Sequence, residues 1–471
     1  MKSRIIDYPS SSQLFSMVPT LRLYDYISLD NIKTVDGSNM PFLMWPDGTP
    51  CLLANSYMIT LRMQPGRFGG GFSRLGSKGG SFGDYAGKIS HLIRYCYYNN
   101  KNFISLTDND FYNFIDALRH ETKPNKPQQL KRTERTITSI GRRCLSFLTH
   151  VGEINLAHNF VGINGTISIE LIESTGYRNG KAFKHSSVHH RSFRSANAKK
   201  RRRPIAQATI VKMRDAIDDM STSEFLCNRR HLMISLFEET GARRGEIRSI
   251  MVGQVLTAAA MAKPTILLNT LKRGEGQTRE LAISPALVSD MLNHVRTDRR
   301  ITLKKVGISA DHGFLFISER GGQPLQTDTF TVEFSLIRRH AKLEVQACAH
   351  LFRHLFCTNI VSRLISETQS LNPDSFRLTL LTDKTLAAEA MKQTGHTTLE
   401  SLLSYVDTAF RQKSRFEQIV RNVEAAKSYE TYERRRKHLL QQLKTKRISM
   451  ESYIQEEETL TALMEKEFLN Q

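Results

Sequence analysis

The chain has 471 residues, 40% hydrophobic and 24% charged, the proportions of a globular protein and not of a disordered one. Its 67 Lys and Arg outnumber 46 Asp and Glu, a formal charge of +21. Such an excess costs self-repulsion unless a polyanion offsets it, so nucleic acid is the expected partner. No apolar run approaches a membrane span, and Met1-Lys2-Ser3-Arg4-Ile5-Ile6-Asp7 has no apolar core behind its charge, which argues against a secretory signal.

Charge alone does not separate a DNA-acting protein from a ribosome-associated factor or one kept soluble by its charge. The length predicts roughly three domains. The six cysteines (Cys51, Cys96, Cys144, Cys227, Cys348, Cys357) are scattered, with no CxxC pair. They read as free thiols in a reducing cytoplasm, and no zinc site is expected from their spacing.

Residues 1–81 are poorly periodic and rich in turn formers, with a turn at Asp47-Gly48-Thr49-Pro50 and a glycine-rich stretch from Gly66 to Gly80. They read as a short β-containing arm or cap. From Phe82 to about 150 the pattern is helical. Tyr85, Ile89, Leu92 and Ile93 recur at helical spacing, as do Phe111, Phe114, Ile115 and Leu118. Thr107 followed by Asp110 is a variant capping box. A third helix carries Ile137, Ile140, Leu145 and Leu148 beside Lys131, Arg132, Arg135, Arg142 and Arg143, where Glu134 is the lone acid. Sparse acid on that face points to a DNA contact more than to a solvated surface.

Asn164-Gly165 with the alternating stretch after it predicts a hairpin within Val161–Glu173. His189 to Arg203 holds seven Lys or Arg and no acid, ending in Lys199-Lys200-Arg201-Arg202-Arg203. Such a block is a solvated linker that can also track phosphates. Residues 204–410 are dominated by helices, with one strand-rich patch around Thr265–Ser284. Residues 411–471 contain no Gly or Pro and read as long amphipathic helix.

Four clusters within 204–410 carry chemistry. Thr240-Gly241-Ala242-Arg243-Arg244-Gly245-Glu246 is a glycine turn opening into a helix, where an arginine can fork onto a phosphate. Leu271-Lys272-Arg273-Gly274-Glu275-Gly276 lies between two strand-like runs and reads as a hairpin with a lysine at its mouth. In His350-Leu351-Phe352-Arg353-His354, the first histidine and the arginine are three apart and share a helix face. Gly395-His396 precedes Thr397 and Glu400, a predicted capping box, with Tyr405 near the end of the short helix that follows. The first two clusters alone would be unremarkable surface features.

Together these residues resemble the tyrosine recombinase (phage integrase) family. That family carries Gly-x-Arg-x-x-Glu, a hairpin lysine, a His-x-x-Arg-His box, then Gly-His with a tyrosine nine residues beyond. Here the counterparts in order are Arg243 with Glu246, Lys272, His350 with Arg353 and His354, and Gly395-His396 with Tyr405. The box and the Gly-His to Tyr spacing are the specific parts. Residues 204–410 match throughout, and 82–150 is similar to the family's core-binding domain. Two departures stand out: 43 positions separate Arg353 from His396, implying an insertion near Ser366–Lys384, and Arg244 competes with Arg243 for the first arginine role.

The resemblance implies a mainly α fold with a small antiparallel β-sheet (α+β): a tyrosine recombinase catalytic fold plus an N-terminal helical, SAM-like core-binding domain. Its parts would be an arm (1–81), a core-binding domain (82–150), a hairpin insertion and basic linker (151–203), a catalytic domain (204–410) and a helical tail (411–471). It implies catalysis by Arg243, Lys272, His350, Arg353, His396 and Tyr405, supported by Glu246 and His354. DNA contacts are expected from Arg132, Arg135, Arg142, Arg143, Lys199, Lys200, Arg201, Arg202 and Arg203.

The implied activity is site-specific cutting and rejoining of double-stranded DNA through a 3′-phosphotyrosyl link, for integration, excision or transposition of a mobile element. No metal or other cofactor is expected. Partners would be DNA, three further copies on paired sites and accessory DNA-bending or recombinase proteins, in the cytoplasm and on the nucleoid. The alternatives are a type IB topoisomerase-like relaxing enzyme and a silent DNA-binding regulator of the same fold.

Overall fold

A computed structural model describes residues 13–24, 34–64, 71–74, 79–178, 181–195, 203–270, 278–307, 311–416, 420–445 and 447–469. These residues fall into two compact units that part between 195 and 203. The fold is mainly helical with small two-stranded sheets. Among the described residues no helix is long and apolar enough to cross a membrane.

The first unit begins with short strands β1 (Phe15–Val18), β2 (Arg22–Tyr24), β3 (Thr34–Asp36) and β4 (Met40–Leu43), then helix α1 (Leu52–Met63). Helices α2 (Gly80–Tyr98) and α3 (Asp108–His120) follow, then strands β5 (Thr122–Lys123) and β6 (Lys126–Leu130) and helix α4 (Glu134–Ile154). The helical spacings of the sequence become one apolar face each: Ile89, Leu92 and Ile93 on α2, Phe111, Phe114, Ile115 and Leu118 on α3, Ile137, Ile140, Leu145 and Leu148 on α4, all buried. The Thr107–Asp110 capping box starts α3, and the Thr133 hydroxyl accepts from the Thr136 amide to start α4.

The same core crosses residue 81. Leu14, Phe15, Met40 and Leu43 from the β1–β4 pair, and Ala54, Tyr57, Met58 and Leu61 from α1, pack with α2–α4. The stretch expected to be a short β-containing arm or cap holds β1–β4 and, in addition, α1. Its buried positions do follow the helical period, but an alanine and a tyrosine carry half of them, which weakens the apolar signal.

After α4 come β7 (Val161–Gly162), β8 (Ile167–Ser168), β9 (Glu170–Arg178) and β10 (Lys181–His189). The hairpin expected within 161–173 is not formed: β7 and β8 pair in parallel around the Asn164-Gly165 turn, and β9 pairs with β10 instead. The start of the expected basic linker is also anchored. His190 meets Asp108 at 2.9 Å, the Arg191 guanidinium donates to the same carboxylate at 2.6 Å, and Phe193 is buried in the core. Burial of such a phenyl ring stabilises by about 1.5–3 kcal/mol. Gly141 on α4 makes room for it, since a Cβ there would lie 2.4 Å from the Phe193 ring. Lys199, Lys200, Arg201 and Arg202 lie outside the described residues.

The second unit opens with α5 (Gln207–Met220), α6 (Glu224–Thr240), α7 (Arg244–Arg248) and α8 (Val252–Ala259). The expected hairpin follows as β11 (Thr265–Asn269) and β12 (Thr278–Ala282), antiparallel with Leu268 opposite Arg279. Then come α9 (Pro285–His294), a π-helical turn (Val295–Arg299), α10 (Arg300–Val306), α11 (Thr327–His340) and α12 (Ala349–Glu367). Helices α13 (Pro373–Thr382), α14 (Lys384–Thr394), α15 (Leu399–Leu403) and α16 (Val406–Phe416) complete the part that builds the site. Helix α13 occupies the stretch where an insertion was expected.

Helix α12 runs through the two larger cores of this unit. Its Leu351 and Phe352 pack with Phe237, Phe330 and Phe334, while Cys357, Ile360 and Val361 pack with Phe376, Leu402 and Val406. The stretch between, Arg353 to Phe356, is therefore held at the seam of the two cores. A buried ion triad braces α6 against α11: Glu333 accepts from Arg229 at 2.5 Å and from Arg230 at 2.8 Å.

The tail is not one long helix. It forms α17 (Val420–Lys444) and α18 (Met450–Leu469), which share a small core of Tyr432, Leu439 and Leu460. The Ser449 hydroxyl accepts from the Ser452 amide at 3.1 Å, capping α18, so a serine sets the break that no Gly or Pro signals. Arg435 of α17 donates to Asp290 of α9 at 2.8 Å.

Candidate active site

Gly241, at φ +53°, ends α6 in the left-handed conformation and turns the chain into Arg243, the N-cap of α7. The Arg243 amide and guanidinium both donate to Glu246, at 3.1 and 2.7 Å. Glu246 is fully buried and also accepts from Arg279 of β12 at 2.9 Å. Burial alone would raise the Glu246 carboxyl, but the charges of Arg279 and Arg243 outweigh it and hold it below its ordinary value. One carboxylate thus fixes two guanidiniums. Arg244, the rival for the first position, is half-buried and pairs with Asp328 and Thr331 on α11.

Arg353 ties three segments together. It donates to the Gly241 carbonyl at 2.9 Å and to the Thr394 carbonyl, at the end of α14, at 2.6 Å. Arg279 reaches the neighbouring Gln393 carbonyl at 2.7 Å. Gly395, at φ +63°, packs against the Arg279 side chain, where a Cβ would sit 3.1 Å from its Cδ. Burial and the neighbouring Arg243 and Arg279 charges depress Arg353, partly countered by Cys357 and Glu246.

On α12, His350, Arg353, His354 and Cys357 follow the i, i+3, i+4, i+7 spacing of one face. The His350 and His354 rings are 4.5 Å apart. Tyr405 lies between α15 and α16, 8% exposed, with its ring 5.5 Å from that of His354 and 5.7 Å from that of His396. Cys357 packs in the same small core as Tyr405. Burial, then Cys357, push the phenol above its ordinary value, against the pull of Arg353 and Arg243. His396 is held down to about 3 by burial and by the Arg353, Arg243 and Arg279 charges, so its ring is neutral at pH 7. Its Nδ1 meets the Thr394 hydroxyl at 3.0 Å.

Arg243, Glu246, His350, Arg353, His354, His396 and Tyr405 therefore converge. Lys272 lies outside the described residues. The expected capping box at Thr397 and Glu400 is not made: α15 begins one residue later, with Thr398 as N-cap. Three residues of the cluster were missed from sequence: Arg279, Cys357 and Thr394. Arg279 had a signal, an arginine on the same strand face as buried Leu281. Cys357 had one too, four residues after Arg353 on an already identified helix face.

In the first unit, Arg135, Arg142 and Arg143 line a cavity of about 760 Å³ together with Lys88 and Arg194. Arg143 lies 3.5 Å over the Tyr85 ring and donates to the Tyr57 hydroxyl at 3.0 Å, while Arg142 donates to the Val188 carbonyl at 2.9 Å. Arg132 does not join them; it is nearly buried and paired with Glu121 at 2.7 Å. Arg203 is exposed at the start of the second unit.

One mainly helical unit thus brings arginines, histidines and a tyrosine into one cluster. Residues 206–369 match the model of the phage integrase family. No curated protein matches the chain. Similar solved structures include the XerA recombinase, at 13% identity over 77% of this chain and 96% of that one, TM-score 0.32. The XerH recombinase bound to its difH substrate before cleavage is similar at 15% identity, over 72% of this chain and 79% of that one, TM-score 0.44. A lambda integrase tetramer on a Holliday junction matches at 13% identity over 67% and 72%, TM-score 0.36.

Proposed function

We propose that this protein is a site-specific DNA recombinase that breaks and rejoins double-stranded DNA through a covalent link at Tyr405. The observation that carries this reading is the convergence of Tyr405 with His354, His396, Arg353 and Arg243 from four separate segments. A phenol has a pKa near 10, so roughly one tyrosine in a thousand is ionised at pH 7. Attack on a phosphodiester needs the proton removed as the bond forms and the charge on the non-bridging oxygens neutralised.

Arg243 and Arg353 supply that charge. Their links to Glu246, Gly241 and Thr394 fix them before substrate arrives, so little reorganisation accompanies the reaction. His396 donates a hydrogen bond to a phosphate oxygen. His350 takes the Tyr405 proton, relayed past His354. The Tyr405 oxygen bonds to phosphorus as the bond to the 5′-oxygen breaks, and Lys272 protonates that leaving oxygen. The 3′-phosphotyrosyl bond keeps the energy of the broken one, so a 5′-hydroxyl from either duplex can reverse the step.

The basic cavity with Arg135, Arg142 and Arg143 binds DNA phosphates, and Arg203 with the basic stretch before it follows the backbone. The biological outcome is movement of a mobile element, with four copies on paired sites, accessory proteins assisting, and the protein residing in the cytoplasm on DNA. The test is a nicked duplex that traps the covalent complex. Wild type should form a denaturant-resistant adduct, and Tyr405→Phe should bind the DNA equally and form none. Equal trapping by both would remove Tyr405 from the mechanism. Relaxation of any supercoiled plasmid without exchange between defined sites would assign a topoisomerase role instead.

A further inference from the structure

Outside the Tyr405 cluster, three side chains with different donor atoms meet between α5 and α6. Cys227 and His231 lie four apart on α6 and so share a face, and Asp218 stands near the end of α5. His231 Nε2 is 2.6 Å from Asp218 Oδ1, Cys227 Sγ is 3.5 Å from the same oxygen, and the three donor atoms all lie within 4.8 Å of one another.

An ordinary Asp–His hydrogen bond accounts for two of the three. The thiol donates to the same carboxylate oxygen, so Asp218 holds both neighbours, and His231 Nδ1 is left buried with no hydrogen-bond partner among the described residues. In the ion-free protein the ring proton sits on Nε2, donated to the carboxylate; an ion that takes the Nε2 lone pair moves that proton to Nδ1.

Sulfur, imidazole nitrogen and one carboxylate oxygen form a donor set suited to a borderline-soft divalent ion, and the sulfur disfavours calcium or magnesium. A thiolate and a carboxylate also cancel a dipositive charge. That neutrality matters here, because Arg214 and Arg434 are close enough to His231 to act on it electrostatically. All three donors line a cavity of about 820 Å³ whose walls include His438 of α17 and Leu460 of α18. The cavity gives an ion an entry path and room for a fourth ligand.

We propose that Asp218, Cys227 and His231 bind one zinc-class divalent ion, with water in the fourth position, and that the ion clamps α5 to α6. Binding replaces the Cys227 thiol proton, which leaves to solvent, by the metal–sulfur bond. The Cys-x-x-x-His pair on one helix, completed from another, has no CxxC signature, so cysteine spacing alone predicts no such site. None of the three residues belongs to the Tyr405 cluster, and the inference stands apart from the DNA chemistry.

The test uses the full-length protein, reduced and stripped with chelator, titrated with Co²⁺ and then with Zn²⁺. The expected result is one equivalent of Co²⁺ with a thiolate-to-cobalt charge-transfer band, displaced by one equivalent of Zn²⁺, and a Tm raised by Zn²⁺. Cys227→Ser should lose the band and the Tm response. Asp218→Asn and His231→Gln should weaken Zn²⁺ binding by more than the roughly 10–100-fold of an outer-shell change. Far-UV circular dichroism checks that each variant folds. A wild type without the band, a band surviving in Cys227→Ser, or unchanged Zn²⁺ affinity in His231→Gln would overturn the proposal.

Discussion

Cys357, one helical turn beyond Arg353 on α12, helps to hold the Tyr405 phenol above its ordinary value. An influence that favours the neutral phenol stabilises the resting state and not the transition state. A neutral contact of this kind contributes about 1 kcal/mol. Cys357→Ala is predicted to speed adduct formation on a nicked substrate by about fivefold, the rate equivalent of that energy. Single-turnover kinetics check this, and a tenfold loss would mean that the thiol positions the nucleophile.

Glu246 serves Arg243 and Arg279 at once, in a fully buried place. Removing its charge leaves two guanidiniums uncompensated, a change that costs about 3–5 kcal/mol when one partner of a buried pair is lost. Glu246→Gln keeps the shape and part of the hydrogen bonding. It is predicted to lower the midpoint of urea unfolding and to slow adduct formation by about a hundredfold, the range for a lost preorganised charge contact. The folded carboxyl is depressed, so its stabilisation is present above the unfolded value and lost as pH falls through the folded one. In Glu246→Gln the acid limb of the stability profile should be correspondingly flatter.

His396 is neutral in the free protein, held down to about 3. The unfolded chain would protonate this ring near 6.5 and the folded one would not, so stability is predicted to rise with pH across that window. A bound phosphate reverses the balance by adding a negative charge beside the ring. Ring-nitrogen NMR should show His396 untitrated down to about pH 5 in the free protein and titrating at higher pH on DNA. Ordinary titration near neutrality without DNA would contradict the burial argument.

Glu333 is predicted to matter for stability alone. It is the shared acceptor of buried Arg229 and Arg230 in the brace between α6 and α11. Glu333→Ala should destabilise by about 3–5 kcal/mol, read from denaturant unfolding. A loss below about 1 kcal/mol would mean that water reaches the two arginines.

The sequence carried the site further than it carried the packing. Helical spacing put His350 and Arg353 on one face, and strand-like runs flanking a glycine tip located β11 and β12, because each is a local signal. Cys357 lies on that same face but passed for a small core residue, since only the fold brings Tyr405 to it. Arg279 passed for part of a basic hairpin, because its partners Glu246 and Gln393 are far away in sequence. The anchoring of His190, Arg191 and Phe193 was hidden in the same way: a run of basic residues gives no sign that Asp108 and a gap at Gly141 await it. Helix α15, with Thr398 as its N-cap, shows the limit of cap signals when Thr397 and Thr398 are adjacent and both suitable.

The most direct measurement is to digest the trapped protein–DNA complex and map the nucleotide-bearing peptide by mass spectrometry. The account predicts a phosphodiester remnant on the Tyr405 side chain. A remnant on any other residue, with Tyr405 unmodified, would contradict it.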